Sequence, residues 1–415
     1  MDFLYIILPA LLYFLFVFNN FKRGLFVFIL LFPAYVFRFT LLGLPSTVLE
    51  GAFGVLFLVW LIKYLKSDYL VIKSFFNLHR SFYYFLILFF ISSVISIFIS
   101  DMWWYSFGQW RAYFLEPLLL FLIIIGRSEV LNYRFYSRAL MWSSLSVSLY
   151  AIIQIAFGFG TDENGRALSF FLSPNAVGLF LAPLFILNIG ELLAKLKNSD
   201  SKLFYVLKSA EFWLLLASFV AILFTRSLGT IFGIFCASLV ILIILNKRKL
   251  TTVLVLGAAT LFLMMSFSGG ISNQKSQSIS NRFLLWNYTS NYLTNNPKNF
   301  IFGTGIRQFF RKVQKPHYNQ KELERLIYPH NIFLNFWTEV GLLGMISFLI
   351  IYFELTKKLL ALVNKQNNFF TLAYLGVLVA LLAHGFIDVP YFKNDLAMMF
   401  WVLAGAIFTM DKKLT

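Results

Sequence analysis

Charged side chains are scarce in this 415-residue chain, making up 13% of it where a soluble globular protein has about 25%. With 60% apolar and 20% aromatic residues and a mean hydropathy of +0.77, that deficit excludes a soluble globule. A single cysteine, Cys236, lies inside the apolar run IFGIFCASLVILI, so an internal disulfide is excluded and the thiol reads as buried and inert. The four histidines, His79, His317, His330 and His384, are scattered without an HExxH, a cysteine cluster or a DxD-type carboxylate pair, which leaves a metal site without support. A Walker motif is absent too, so ATP is not expected to drive the protein directly. The first apolar run leads into NNFKRG rather than a small-residue cleavage site, and it is expected to stay as a membrane helix.

What the chain does have is apolar runs of the length that crosses about 30 Å of hydrocarbon. Thirteen can be bracketed by their polar ends, at 2 to 18, 24 to 43, 47 to 64, 82 to 100, 112 to 126, 139 to 159, 170 to 190, 209 to 225, 228 to 245, 250 to 267, 332 to 356, 369 to 387 and 396 to 410, with twelve as the alternative. The expectation is an all-α polytopic membrane protein: N-terminal transmembrane helices over 1–267, a long outward-facing loop with short helices over 268–330, and C-terminal transmembrane helices over 331–415. Most Lys and Arg lie in the connections at 19 to 23, 62 to 81, 127 to 138, 195 to 208, 246 to 249 and 357 to 365 and in the tail at 412 to 413. By the positive-inside rule these face the cytoplasm. Much of the net charge of +17 is thereby a topology signal, and a nucleic-acid partner is not expected.

The loop from 268 to 330 is basic on the opposite side. It carries Lys275, Arg282, Lys298, Arg307, Arg311, Lys312, Lys315, Lys321 and Arg325 against Glu322 and Glu324, a balance that attracts lipid headgroups or a phosphorylated ligand. Helical stretches are expected at Asn281 to Leu293, with Arg282 and Trp286 on one face, and at Gln320 to Ile327. His330 follows Pro329 at the start of a returning helix, on which Asn331, Asn335 and Glu339 form one polar stripe. A carboxylate inside a membrane helix calls for a polar cavity or a partner, although Asn and Glu also serve as interhelical glue. Arg226 in FTRSLGT has two readings, a headgroup anchor and a ligand group. Gly303 and Gly305 in FGTGI read most simply as turn glycines.

Other charges call for partners. Arg38 and Glu50 flank one turn and can pair with each other. Arg111 and Glu116, five apart, are expected on different helix faces, each answering to another segment. His384 and Asp388, four apart, form a candidate orienting pair.

Taken in order, TRSLGT, SNRFLLW, FGTGIRQF and PHNIFLNFWTEVGLLG resemble the bacterial O-antigen ligase and polymerase family. RFTLLGLPSTVLE, WRAYFLEPLLL, SPNAVGLFLAP and HGFIDVPYFKNDLAMMFW support the match. The resemblance implies a membrane glycosyltransferase, without cofactor, that moves a glycan from an undecaprenyl-diphosphate carrier to a lipid A core or glycan acceptor. Transfer in this family is inverting and metal-independent, on the outer face of the inner membrane. Carried over by position, Arg226 and Arg282 bind the diphosphate and His330 activates the acceptor hydroxyl, with Arg307, Asn331, Glu339, Arg111 and Arg166 in support. The chain departs from the family's common count by one span before the loop. A secondary transporter or lipid flippase is the rival from another class; it calls for Gly- or Pro-broken helices and functional charges at mid-membrane.

Overall fold

The computed structural model describes residues 2–41, 44–197, 207–248, 250–251, 273–318, 325–366 and 368–411. Helix α1 (Asp2–Asn19) forms on the first apolar run, and the Asn20 side chain caps α2 (Phe21–Leu30) by accepting the Arg23 N–H. The expected span from 24 to 43 does not continue. Pro33 lacks an N–H and its ring clashes with the carbonyl four residues back, so the chain tightens into a 3₁₀ turn at Phe32–Val36. It then opens into a ribbon, β1 (Arg38–Leu41) antiparallel to β2 (Leu44–Thr47), with Arg38 opposite Thr47 and Thr40 opposite Pro45.

Thr47 ends the ribbon and starts α3 (Val48–Lys63) through a reciprocal cap. Its hydroxyl accepts the Glu50 N–H at 3.2 Å, and its own N–H donates to Glu50 Oε2 at 3.1 Å. The connection expected at 62 to 81 is instead helix α4 (Leu65–Leu78), bent 94° from α3. Buried Asp68 secures the bend, accepting from Trp60 Nε1 at 2.9 Å and from the Arg127 guanidinium at 3.2 Å.

Five helices among the described residues are long and apolar enough to cross a membrane: α5 (Arg80–Ile99), α6 (Trp103–Gly126), α7 (Tyr133–Phe157), α8 (Pro174–Lys197) and, after the loop, α13 (Ile332–Gln366). The bent α3 and α4 pair makes six if it counts as one span. Shorter apolar helices complete the bundle: α9 (Ala210–Thr225), α10 (Leu228–Ile244), α14 (Phe369–Gly385) and α15 (Asn394–Phe408). Between α10 and α13 lie α11 (Asn273–Thr294) and α12 (Pro297–Phe302). The chain is an all-α polytopic membrane protein. The span expected from 250 to 267 lies outside the described residues apart from its first two. So does 320–324 of the helix expected at 320 to 327, whose remaining residues are not helical.

The centre of the bundle belongs to the C-terminal helices. Every residue of α15 is buried and α14 is buried along nearly its whole length. Phe89, Phe336, Phe348, Tyr391, Phe400 and Trp401 pack around them, and Trp401 Nε1 donates to the Tyr391 hydroxyl at 3.0 Å. Lipid tails are as apolar as these side chains, so close contact and polar pairing hold the helices together more than water exclusion does. Gly376 faces Ile241 and Gly405 faces Ile124, while Ser144, Ser148 and Ser218 link α7 to α9 through their hydroxyls.

Candidate active site

Helix α13 begins at a sharp turn. Asn331 caps it, its side-chain oxygen accepting the Phe333 and Leu334 N–H groups at 3.0 Å each, and its amide donates to the Phe386 carbonyl at 3.1 Å. Asn331, expected in a supporting role, is a helix cap that also ties α13 to the end of α14. His330 precedes the cap in a left-handed conformation, φ 52°, which costs a non-glycine residue on the order of 1–3 kcal/mol. Its ring lies edge-on to Tyr328, with centroids 5.0 Å apart, and its Nδ1 is 3.3 Å from Asp388 Oδ1.

Asp388 sits in the segment joining α14 to α15 and is almost fully buried. The Val389 N–H donates to the same oxygen at 2.9 Å. Burial acts to raise this carboxyl, but the hydrogen bond from His330 and the charges of His330, His384 and Lys393 outweigh it and hold it below the usual carboxylate range. The pairing expected between His384 and Asp388 is thus corrected. Between those two residues the bond is the helical one, Asp388 N–H to the His384 carbonyl at 3.0 Å, and the carboxylate turns to His330 instead. The His384 ring packs on the α9–α10 turn, where a Cβ on Gly229 would stand 2.6 Å from its Nε2.

That turn carries Arg226. It caps α9 in a left-handed conformation, φ 48°, with its exposed guanidinium donating to the Asn164 carbonyl at 3.4 Å. Arg282, on α11, lies within electrostatic range of His384. One turn further along α11, Trp286 donates its indole N–H to the Pro329 carbonyl at 2.9 Å, which fastens α11 to the residue before His330. Arg226, Arg282 and His330 are thereby gathered around the end of α14, with Asp388 as the member that the local sequence pattern missed.

Arg166 does not join them. Its Nε pairs with Asp162 Oδ2 at 2.8 Å and its N–H donates to Asp162 Oδ1 at 2.8 Å, so its charge is spent inside its own turn. Burial nudges Asp162 upward, but these hydrogen bonds from Arg166 leave its carboxyl lower than usual.

Arg111 is also engaged, with Glu50 Oε2 at 2.7 Å and Glu116 Oε1 at 3.2 Å. The expectation that Arg111 and Glu116 point apart assumed 3.6 residues per turn. Residues 111–115 form a π-turn, with the Glu116 N–H on the Arg111 carbonyl, and such a turn brings residues five apart onto one face. Glu50 also accepts from Asn394 at 2.7 Å, and Arg38, expected to pair with it, forms no ion pair among the described residues.

Arg307 and Glu339 meet through the backbone: the Arg307 N–H donates to Glu339 Oε2 at 2.8 Å, and the guanidinium lies over the Tyr105 ring. Gly303 and Gly305 serve close approach. A Cβ on Gly303 would collide with the Trp337 and Thr338 carbonyls, and one on Gly305 would stand 2.7 Å from the Ser100 nitrogen. Thr304 N–H accordingly reaches the Thr338 carbonyl at 2.7 Å.

Tyr328, whose ring lies against His330, also forms part of the wall of a cavity of about 610 Å³. Arg38, Arg111, Arg307, Asn335 and Glu339 line it, and Trp104, Tyr105 and Phe107 form an aromatic side. Arg226 and Arg282 are not among its lining residues. Nothing local in the sequence announces this cavity, because it is built from the β-ribbon, the start of α6, the loop and α13.

Among curated proteins no relative matches the chain. Residues 213–349 match the family model described as O-antigen ligase. That segment contains Arg226, Arg282, Arg307, His330 and Glu339, whereas Asp388 lies beyond it. Over that segment, about a third of its length, the chain is similar to the O-antigen ligase family.

Proposed function

We propose that the protein transfers a glycan from an undecaprenyl-diphosphate carrier to an acceptor hydroxyl, on a lipid A core or another glycan, at the outer face of the inner membrane. The observation that carries this reading is the His330–Asp388 pair at 3.3 Å, beside a turn and a helix that each bring one arginine. With Nδ1–H directed at Asp388, the lone pair of Nε2 is free to accept a proton, and the carboxylate stabilises the imidazolium that forms. The acceptor oxygen attacks the anomeric carbon as its proton passes to His330 Nε2. The bond from that carbon to the phosphate oxygen breaks, and its electron pair leaves on the diphosphate. Attack from the side opposite the leaving group inverts the anomeric centre. Arg226 and Arg282 supply planar, permanently charged donors for the diphosphate oxygens, whose charge grows as the bond breaks.

Incubating the purified protein in lipid with carrier-linked glycan and either a lipid A core or a second carrier-linked glycan tests the reading. Product on the first acceptor marks a ligase and on the second a polymerase; product on neither sinks both. His330→Ala is expected to abolish transfer while carrier binding persists, and full transfer by that variant removes the histidine from its role.

A further inference from the structure

We infer that the 610 Å³ cavity is a glycan subsite selective for sugars that carry a negative charge. The inference rests on the glycan-transfer reading above and adds the chemical class of the sugar. Four observations support it.

The volume falls within the roughly 300–1,000 Å³ of small-molecule sites, enough for on the order of two or three sugar rings. The rim is aromatic, with Trp104 and Tyr105 about half exposed, and faces of this kind stack on the apolar side of a sugar ring. The floor is polar: Glu339 is held from one side by the Arg307 N–H, and Asn335, 1% exposed, has its Oδ1 without a hydrogen-bond partner among the described residues. An unpaired buried amide oxygen is costly, and a sugar hydroxyl would satisfy it.

The fourth observation is charge. Arg111 is already matched by Glu50 and Glu116, and Glu339 is hydrogen-bonded to a backbone N–H. Arg38 and Arg307, together with Arg311 and Arg325, line the same cavity and make no ion pair among the described residues. Forked donors of this kind lining an aromatic cleft fit a carboxylate or phosphate on a sugar ring. Tyr328 lines the cavity and its ring lies edge-on to His330, while neither Arg226 nor Arg282 is a lining residue, so a glycan held here does not take the place of a diphosphate on those two arginines.

The test is direct binding to the full chain in lipid nanodiscs, read by calorimetry, and it does not require transfer. Three probes are compared: a tetrasaccharide alternating glucuronate with N-acetylglucosamine, the neutral tetramer of N-acetylglucosamine, and inorganic pyrophosphate. The acidic tetrasaccharide is expected to bind at least tenfold more tightly than the neutral one. Arg38→Gln and Arg307→Gln are each expected to remove that preference, and Arg38→Lys to retain part of it. Equal binding of the two tetrasaccharides, or selectivity that survives both Gln substitutions, overturns the inference. Pyrophosphate displacing the acidic tetrasaccharide in wild type but not in Arg38→Gln assigns the cavity to the carrier phosphates and overturns it as well. His330→Ala should bind the acidic tetrasaccharide like wild type, so a failure of the transfer reading is distinguishable from a failure of this one.

Discussion

At His330 the chain accepts a left-handed backbone and aims its ring at a buried carboxylate, and neither is needed to start a helix that Asn331 already caps. Strain retained beside a polar pair is a mark of function, and Arg226 and Arg307 share it with φ of 48° and 64°. Asp388→Asn keeps the acceptor for the Val389 N–H but no longer fixes the imidazole tautomer. The expected result is a fall in kcat on the order of 10⁴-fold, as in other oriented histidines, with KM for carrier-linked glycan and the unfolding midpoint unchanged; a proportional loss of stability would instead mark Asp388 as a packing residue. Arg226, Arg282 and His330 were legible in the sequence because each sits in a short motif with its neighbours. Asp388 was legible only as a charge without a settled partner. Its true partner is 58 residues away, and a histidine one helical turn back offered a more obvious one.

Element by element, the apolar runs located the helices well and their ends less well. The π-turn at 111–115 joins an expected outer turn and an expected span into α6, and that extra residue per turn is what lets Arg111 meet Glu116. Hydrophobicity alone also missed the β-ribbon, since RFTLLGLPST is as apolar as a helix and Pro45 is its one proline to speak against one. In α13 the helix breaks at Gly341, φ 76° and ψ 175°, two residues past Glu339, where the Phe302 backbone presses in. The break lies nearer the end of α13 that follows His330 than the opposite end. Gly341→Ala should destabilise the protein by at least about 1–3 kcal/mol, because only glycine enters that region without strain and a Cβ would meet Phe302 Cα at 3.0 Å. Gly54→Ala, a helical position with open space around it, should stabilise by about 0.5–1 kcal/mol. Thermal unfolding in detergent compares the two, and equal effects would refute the account of Gly341.

For the whole molecule, the distribution of Lys and Arg predicts which end of the bundle faces out. One end gathers His330, Arg226, Asn164 and the cavity; the other holds α4 and the Asp68–Arg127 pair. In a Cys236→Ser background, Asn164→Cys should react with a membrane-impermeant maleimide added to intact cells, and Lys66→Cys only after the membrane is opened. Labelling in the reverse order would invert the orientation and place the proposed chemistry on the cytoplasmic side.

The burial of α15 has a further consequence. A ribosome delivers this helix last among those described, yet it is the axis around which the others are wound. Asp388 lies on the short link that leads into α15, so it too is among the last residues delivered. Completing the scaffold and giving His330 its carboxylate partner are therefore one event.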